Sequence, residues 1–294
     1  KRIESEVKVK MKIATLNKGK ETKYLNQYPL IDEEDIYQHD HLKEGDLVKI
    51  VTDQQQYIAT GYVGRQHKGL GWVLSYDENE DINTQFFVKL FEKALDEREY
   101  YFNIDGTNAF RLFNAEGDGV GGLTIDNYDS HLLIQWYSKG IYKFRYLILE
   151  AIKMVFGFTS LYEKMRFKDT EYTGGFVEGE APEFPITIEE NFTFYNVDLE
   201  DGLMTGIFLD QKEVRKKLRD QFSEDKDVLN QFKAVKDDKE KTKELSLRLS
   251  KELIDTVHEY FNGLYLITPF QRIDYSLELA AYSKAITQNK EAIS

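Results

Sequence analysis

The stretch from Asp201 to Phe232, DGLMTGIFLDQKEVRKKLRDQFSEDKDVLNQF, constrains this chain more than any other. It reads as a short turn, a capped helix and the opening of a buried strand. Asp210 is placed to cap the helix, and Glu213 three residues on completes a reciprocal capping arrangement. Val214, Leu218 and Phe222 fall four apart and give the helix one apolar stripe. Val228-Leu229-Asn230 then predicts the first strand of an α/β sheet. Where such a sheet holds a nucleotide-like cofactor, the strand runs into a glycine-rich loop, because glycine lets the backbone approach the ligand closely. Here it runs into Gln231-Phe232-Lys233-Ala234-Val235-Lys236-Asp237-Asp238, which is polar and glycine-free. A sheet opened by this strand would lack that glycine-rich cradle.

With 294 residues there is room for two or three domains. There is no cysteine, which excludes disulfides, a zinc–thiolate site and a thiol nucleophile. Methylation at cytosine C5 through a covalent thiolate adduct is therefore excluded. His39 and His41 flank Asp40 at a spacing a metal could use, but no third ligand is evident, so no metal is expected. The chain opens at Lys1 rather than Met, the mark of a trimmed chain. No apolar run approaches about 18 residues and no signal peptide opens it, so a soluble cytoplasmic protein without membrane contact is expected. Net charge is -13. Residues 233–294 hold 10 Lys+Arg against 10 Asp+Glu, which leaves 29 against 42 for residues 1–232. The excess acid lies entirely before the tail and opposes broad electrostatic capture of a polyanion, so any nucleic-acid contact has to be a local basic patch or shape readout.

Residues 1–76 alternate in short strand-like runs, Val7–Ile13, Leu47–Thr52, Tyr57–Val63 and Trp72–Leu74, and fit a small β-barrel. The loop Gly64-Arg65-Gln66-His67-Lys68-Gly69 supports two readings, a phosphate contact through Arg65, His67 and Lys68 or a solvated hairpin. Asp81–Arg98 predicts a helix with Phe86, Phe87, Leu90, Phe91, Ala94 and Leu95 on its apolar face. Ala109–Asn114 and Gly122–Ile125 predict strands joined by the Glu116–Gly121 turn. No helix N-terminus follows that turn to receive an anion, so a hairpin is favoured over a dinucleotide loop. His131–Trp136, Phe144–Phe156 and Leu161–Phe167 continue as strand, helix and strand. Past Asp237, Leu245, Leu249, Leu253, Val257 and Phe261 recur every four residues as a long amphipathic helix, with His258 read as a surface residue. Leu264–Ile267 predicts a strand and Ile273–Ile286 a closing helix, an α-β-α tail.

Thr205-Gly206-Ile207-Phe208-Leu209-Asp210-Gln211 with Arg215, Thr107-Asn108-Ala109-Phe110-Arg111-Leu112, Glu116-Gly117-Asp118-Gly119 and Glu178-Gly179-Glu180-Ala181-Pro182 stand in one order over about 230 residues. They resemble the motifs of the PUA-containing, S-adenosylmethionine-dependent ribosomal RNA methyltransferases. Met204, Lys212 and Val120-Gly121 depart from the family's usual Lys, Arg and Leu-Pro. The resemblance implies an α+β multidomain protein: a PUA-like RNA-binding barrel (1–76), a central α+β domain (77–200) and the start of a Rossmann-like methyltransferase domain (201–232). It implies S-adenosylmethionine as cofactor beside Phe208, Asp210, Gln211 and Arg215. It also implies ribosomal RNA as partner, with Arg65, His67, Lys68, Arg111 and Arg166 as candidate contacts, though a strand-end Arg166 is also readily a solvated one. Association into a homodimer is compatible with it. The tail (233–294), with KELIDTVHEYFNGLYLITPFQR, resembles the end of methylenetetrahydrofolate reductases of the bifunctional homocysteine-methyltransferase type. No catalytic residue is assigned. The expectation is a truncated family member that binds RNA rather than catalyses. The alternative is a chimera of two coding fragments joined near Gln231–Asp237.

Overall fold

The computed structural model describes residues 11–66, 69–102, 106–168, 170–202, 204–223, 226–260 and 273–291. They fall into two compact units, residues 1–212 and 213–294.

The first unit opens with β1 (Lys12–Thr15), α1 (Glu21–Leu25), β2 (Leu30–Asp32), β3 (Leu47–Val51), β4 (Tyr57–Gln66) and β5 (Gly69–Ser75). They form a five-stranded sheet in the order β1-β3-β4-β5-β2, with β1 and β3 parallel and the remaining pairs antiparallel. The part of the expected strand Val7–Ile13 before Met11 lies outside the described residues. Tyr24, Leu16, Ile31, Ile50 and Leu70 fill the interior. Asp35 is fully buried beside them, held by Lys20 at 3.0 Å, by Lys23, and by the Tyr24 hydroxyl at 2.9 Å. Burial alone would raise its pKa, but these partners together lower it.

Next come α2 (Thr84–Glu97), α3 (Glu99–Phe102), β6 (Ala109–Asn114), β7 (Leu123–Tyr128), β8 (His131–Trp136), α4 (Lys139–Tyr142), α5 (Arg145–Val155), β9 (Ser160–Met165), β10 (Gly174–Gly179), and a separate hairpin of β11 (Ile186–Glu190) and β12 (Thr193–Val197). Asn83 caps α2, its side chain accepting from the Phe86 amide at 3.1 Å. The central sheet runs β10-β9-β8-β7-β6 and is mixed, because β8 and β9 are parallel across the α4–α5 crossover. The expected α2 stripe packs on one face of it: Phe86, Phe87, Phe91 and Ala94 meet Phe113, Ile134, Leu161 and α5's Ile148 and Ile152 in one core.

That core does not stop at the end of the barrel. Leu47, Tyr62, Trp72 and Leu74 belong to it together with Val120, Leu123, Ile141 and Phe144. Tyr62 donates its hydroxyl to the Gly121 carbonyl at 2.7 Å, and the Trp72 indole donates to Glu116 Oε1 at 2.5 Å. A Cβ on Gly121 would overlap the Trp72 ring. The glycines of the β6–β7 turn thus admit an aromatic from the barrel, which agrees with a hairpin turn rather than an anion loop.

The second unit holds, among its described residues, α6 (Lys212–Ser223), α7 (Lys226–Val235), α8 (Lys239–Tyr260) and α9 (Ile273–Glu291). The strand expected at Val228–Asn230 is part of α7. Val228, Phe232 and Val235 fall at i, i+4 and i+7 and are half-buried, while Asn230, Lys233 and Ala234 are exposed, a helical period. The helix runs unbroken across Gln231 and ends at Val235, inside the Gln231–Asp237 interval where the chimera alternative places its junction. Asp210 lies in a 3-10 turn, Leu209–Gln211, ahead of α6, rather than at a helix cap. Val214 is 56% exposed, so the expected α6 stripe is not buried at its start. In α8, Leu245, Leu247 and Ile254 are buried, while Leu249, Leu253 and Val257 of the expected four-residue series are half-buried. His258 is also buried, not on the surface, its Nε2 2.8 Å from Ser283 Oγ of α9. The strand expected at Leu264–Ile267 lies outside the described residues. Among those described, no helix is long and apolar enough to cross a membrane.

Candidate nucleic-acid face and cofactor segment

The second face of the central sheet has two halves. One end is apolar: Ala109, Tyr128, Leu133 and Tyr162 pack under Ile186, Ile188, Val197 and Leu199 of the β11–β12 region. Thr107 and Asn108 fasten that hairpin. Asn108 Oδ1 accepts from the Glu189 amide at 2.7 Å, and Thr107 Oγ1 accepts from Asn191 at 3.1 Å.

The other end is polar. Register places Asn114, Thr124, Gln135 and Lys164 in one row across β6 to β9, with Arg111 opposite Asp126 in the next. Arg111 meets buried Asp126 through Nε at 2.8 Å and Nη2 at 3.1 Å, and reaches Asn114 with Nη1. The burial that lowers its pKa is outweighed by the Asp126 carboxylate, and the net direction is up. Gln135 donates to Asp126 at 3.1 Å and accepts from Arg166 Nε at 2.7 Å. One chain of hydrogen bonds therefore joins two of the expected RNA contacts, Arg111 and Arg166.

The segment from Thr205 lies along this face. The Tyr128 hydroxyl is 3.1 Å from Thr205 Oγ1, Lys164 Nζ donates to the Gly202 carbonyl at 2.8 Å, and Arg166 Nη2 lies 4.0 Å from Met204 Sδ. Gly206 takes a φ of 96°, the left-handed region that a side chain disfavours. From there side chains alternate: Ile207 and Leu209 pack toward the apolar core, while Phe208, Asp210 and Gln211 are exposed. Phe208 is 44% exposed, and neither Asp210 nor Gln211 has a side-chain hydrogen-bond partner among the described residues. Three of the four expected cofactor contacts are thus adjacent and available. Arg215 sits half-buried in α6, in the second unit.

Arg65 is exposed at the end of β4, its Nη2 on the Leu42 carbonyl at 3.0 Å and its amide on Glu44 at 2.9 Å. His67 and Lys68 lie outside the described residues. His39 faces Glu33 at 3.5 Å, and no cluster among the described residues could hold a metal ion. Lys164 escaped the sequence reading. Only the structure shows that Glu163 and Lys164 are two charges inside a strand whose every position is buried.

A PUA-like domain family matches residues 14–76. The putative ribosomal RNA large subunit methyltransferase YwbD of Bacillus subtilis is 48% identical over 228 residues, 76% of this chain and 58% of that protein. A putative SAM-dependent methyltransferase from Streptococcus mutans superposes with a TM-score of 0.65 at 34% identity, over 71% of this chain and 54% of its own. A putative methyltransferase solved in complex with SAH matches at the same TM-score and identity, over 53% of its length. The chain spans a little over half the length of the relatives it matches. With the first sheet, the central sheet and the Thr205–Gln211 segment in the expected order, the chain is similar over about three quarters of its length to the PUA-containing, SAM-dependent ribosomal RNA large-subunit methyltransferases.

Proposed function

We propose that these 294 residues recognise ribosomal RNA for a methyltransferase of this family and carry the approach to the S-adenosylmethionine site without completing it. The observation behind this reading is the juxtaposition on one sheet face. Arg166 and Lys164 touch the loop that leads directly into exposed Phe208, Asp210 and Gln211. Substrate-facing cations and the cofactor-facing segment are then two edges of one surface, the placement methyl transfer requires. The solved SAH complex of a relative supports the cofactor assignment. No glycine occurs between Gly206 and Gly263, and the described residues from Lys212 to Val235 are helical. A backbone able to cradle the cofactor is therefore missing where the segment would deliver it, so the RNA-binding role outlasts the catalytic one. On this reading the protein works in the cytoplasm, where its RNA partner is.

Titration with a single-stranded RNA and, separately, with S-adenosylhomocysteine tests both halves. RNA affinity is expected to fall steeply with salt, with a log–log slope of about -0.7 per phosphate contacted. S-adenosylhomocysteine is expected not to saturate the protein. Salt-independent RNA binding overturns the first half; stoichiometric S-adenosylhomocysteine binding overturns the second.

A further inference from the structure

The half-buried arginines of the central sheet and its flanking helices end on carboxylates. In the central domain Arg98 reaches Asp118 at 2.6 Å, Arg111 reaches Asp126 at 2.8 Å, and Arg145 reaches Glu163 at 2.9 Å. Lys164 and Arg166 break that pattern. Lys164 is 3% exposed, yet Nζ has only the Gly202 carbonyl. Arg166 has a neutral amide and a thioether, Gln135 and Met204. Among the described residues no carboxylate closes to ion-pair distance of either, although the chain holds 52 Asp and Glu against 39 Lys and Arg. A lysine this deeply buried is rarely left unpaired, because taking its charge out of water costs several kcal/mol unless a counter-charge is supplied.

A third group shares the place. Thr124 stands in register with Gln135, and Gln135 with Lys164, so Thr124 lies on the same face two strands away. Its hydroxyl is buried and has no hydrogen-bond partner. A buried hydroxyl without a partner also carries a cost that a ligand would remove.

We propose that the polar end of this sheet face is a phosphate-binding site, with Lys164 and Arg166 as its cations and the Thr124 hydroxyl as its neutral donor. The inference rests on the RNA-binding reading for its ligand, a backbone phosphodiester, but the chemistry is that of any phosphate. Two cations and a hydroxyl on one surface supply donors from several directions to a tetrahedral anion. Lys164 has two further N–H donors beyond the one on Gly202, and Arg166 keeps Nη1. Burial and the neighbouring Arg166 lower the Lys164 pKa, while Asp198 and Asp201 partly counter this from longer range. A phosphate would reverse that balance. The location also suits a chain of net charge -13, which cannot gather RNA by its overall field and needs discrete cationic points.

The test uses the whole chain, a single-stranded RNA 20-mer and inorganic phosphate as probes. The variants are Lys164→Met, Arg166→Met and Thr124→Val, with exposed Lys93→Met as the control for net charge. Lys164→Met and Arg166→Met are each expected to weaken RNA binding by about 5- to 20-fold and to reduce the salt slope by about 0.7. Lys164→Arg should recover most of the affinity, and Lys93→Met should change neither quantity. Thr124→Val, which keeps the shape of the side chain, should cost a few-fold and guards against a lysine or arginine variant that fails to fold. Inorganic phosphate should compete with the RNA on the parent protein and not on Arg166→Met. If RNA binds and all three variants keep the parent affinity and slope, the site is wrong and the RNA reading stands. If phosphate binds in an Arg166-dependent way but RNA does not bind, the site stands and its ligand is a small phosphate. If neither probe binds, both readings fail.

Discussion

Replacing Trp72 with alanine tests whether the barrel and the central sheet unfold as one body. Trp72 is 3% exposed, stacks on Tyr62 with ring centroids 5.6 Å apart, and donates its indole N–H to Glu116 at 2.5 Å. Truncating a buried tryptophan costs about 3–5 kcal/mol in lost transfer energy and cavity. The ring pair and the charge-assisted hydrogen bond add roughly 1–2 kcal/mol once their non-additivity is allowed for. For a unit of about 200 residues each kcal/mol lowers Tm by roughly 2–4 °C, so a fall on the order of 10–20 °C is expected. The chain has two tryptophans, so once Trp72 is gone all indole fluorescence comes from Trp136, buried in β8. Trp72→Phe shares that property while keeping an aromatic on Tyr62, and serves as the reference. Urea unfolding followed by Trp136 should show a central sheet destabilised by a barrel mutation. If the Trp136 midpoint in Trp72→Ala matches the reference to within about 1 kcal/mol, the barrel and sheet are energetically separate, and the shared core is refuted.

Glu163→Ala removes the acceptor of four donors: Arg145 Nε and Nη2 at 2.9 Å each, the Trp136 indole at 3.0 Å and the Tyr172 hydroxyl at 3.0 Å. Breaking a buried pair costs about 3–5 kcal/mol, and the partial exposure of Arg145 brings this to roughly 2–4 kcal/mol in urea denaturation, much of it recovered in Arg145→Met/Glu163→Leu. A loss below about 1 kcal/mol would show that the four contacts are weak. Asp35 has its pKa lowered in the folded state, so the stability it contributes is present above the unfolded carboxylate pKa of about 3.9 and is lost as pH falls through the folded value. Asp35→Asn should therefore destabilise the protein at neutral pH and flatten the acid limb of its stability profile, and an unchanged acid limb would sink the assignment.

The parts of the fold legible in the sequence were those with a strong period or punctuation. The α2 stripe and the β6–β7 hairpin followed from side chains that have to share a face. Val228-Leu229-Asn230 was misread because so short a segment, two apolar residues and an asparagine, fits a strand and a helix equally. Its partners Phe232 and Val235, at helical spacing, decide the matter. Of the site, Phe208, Asp210 and Gln211 were singled out by the motif that contains them, and their exposure is a finding of the structure. Lys164 was not, because the sequence does not show that β9 is buried on both faces, and only that burial makes an unpaired lysine informative.

The same distinction sorts the family motifs by role. Asn108 is spent on the β11 backbone, Arg111 on Asp126, Glu116 on the Trp72 indole and Asp118 on Arg98. These motif residues are joints: each polar group already has its partner inside the protein, and removing it would loosen the scaffold before it affected a ligand. Lys164, Arg166, Asp210 and Gln211 differ in kind, for each keeps hydrogen-bonding capacity that no charged side chain among the described residues satisfies. Where the half-buried arginines of the central domain are paired with carboxylates, two neighbouring cations of the sheet face are not, and they offer an anion a discrete point of attraction there. That point adjoins the loop entering the cofactor segment. A phosphate bound at Lys164 and Arg166 would therefore lie beside Gly202 and Met204, and RNA engagement would bear directly on the placement of Phe208, Asp210 and Gln211.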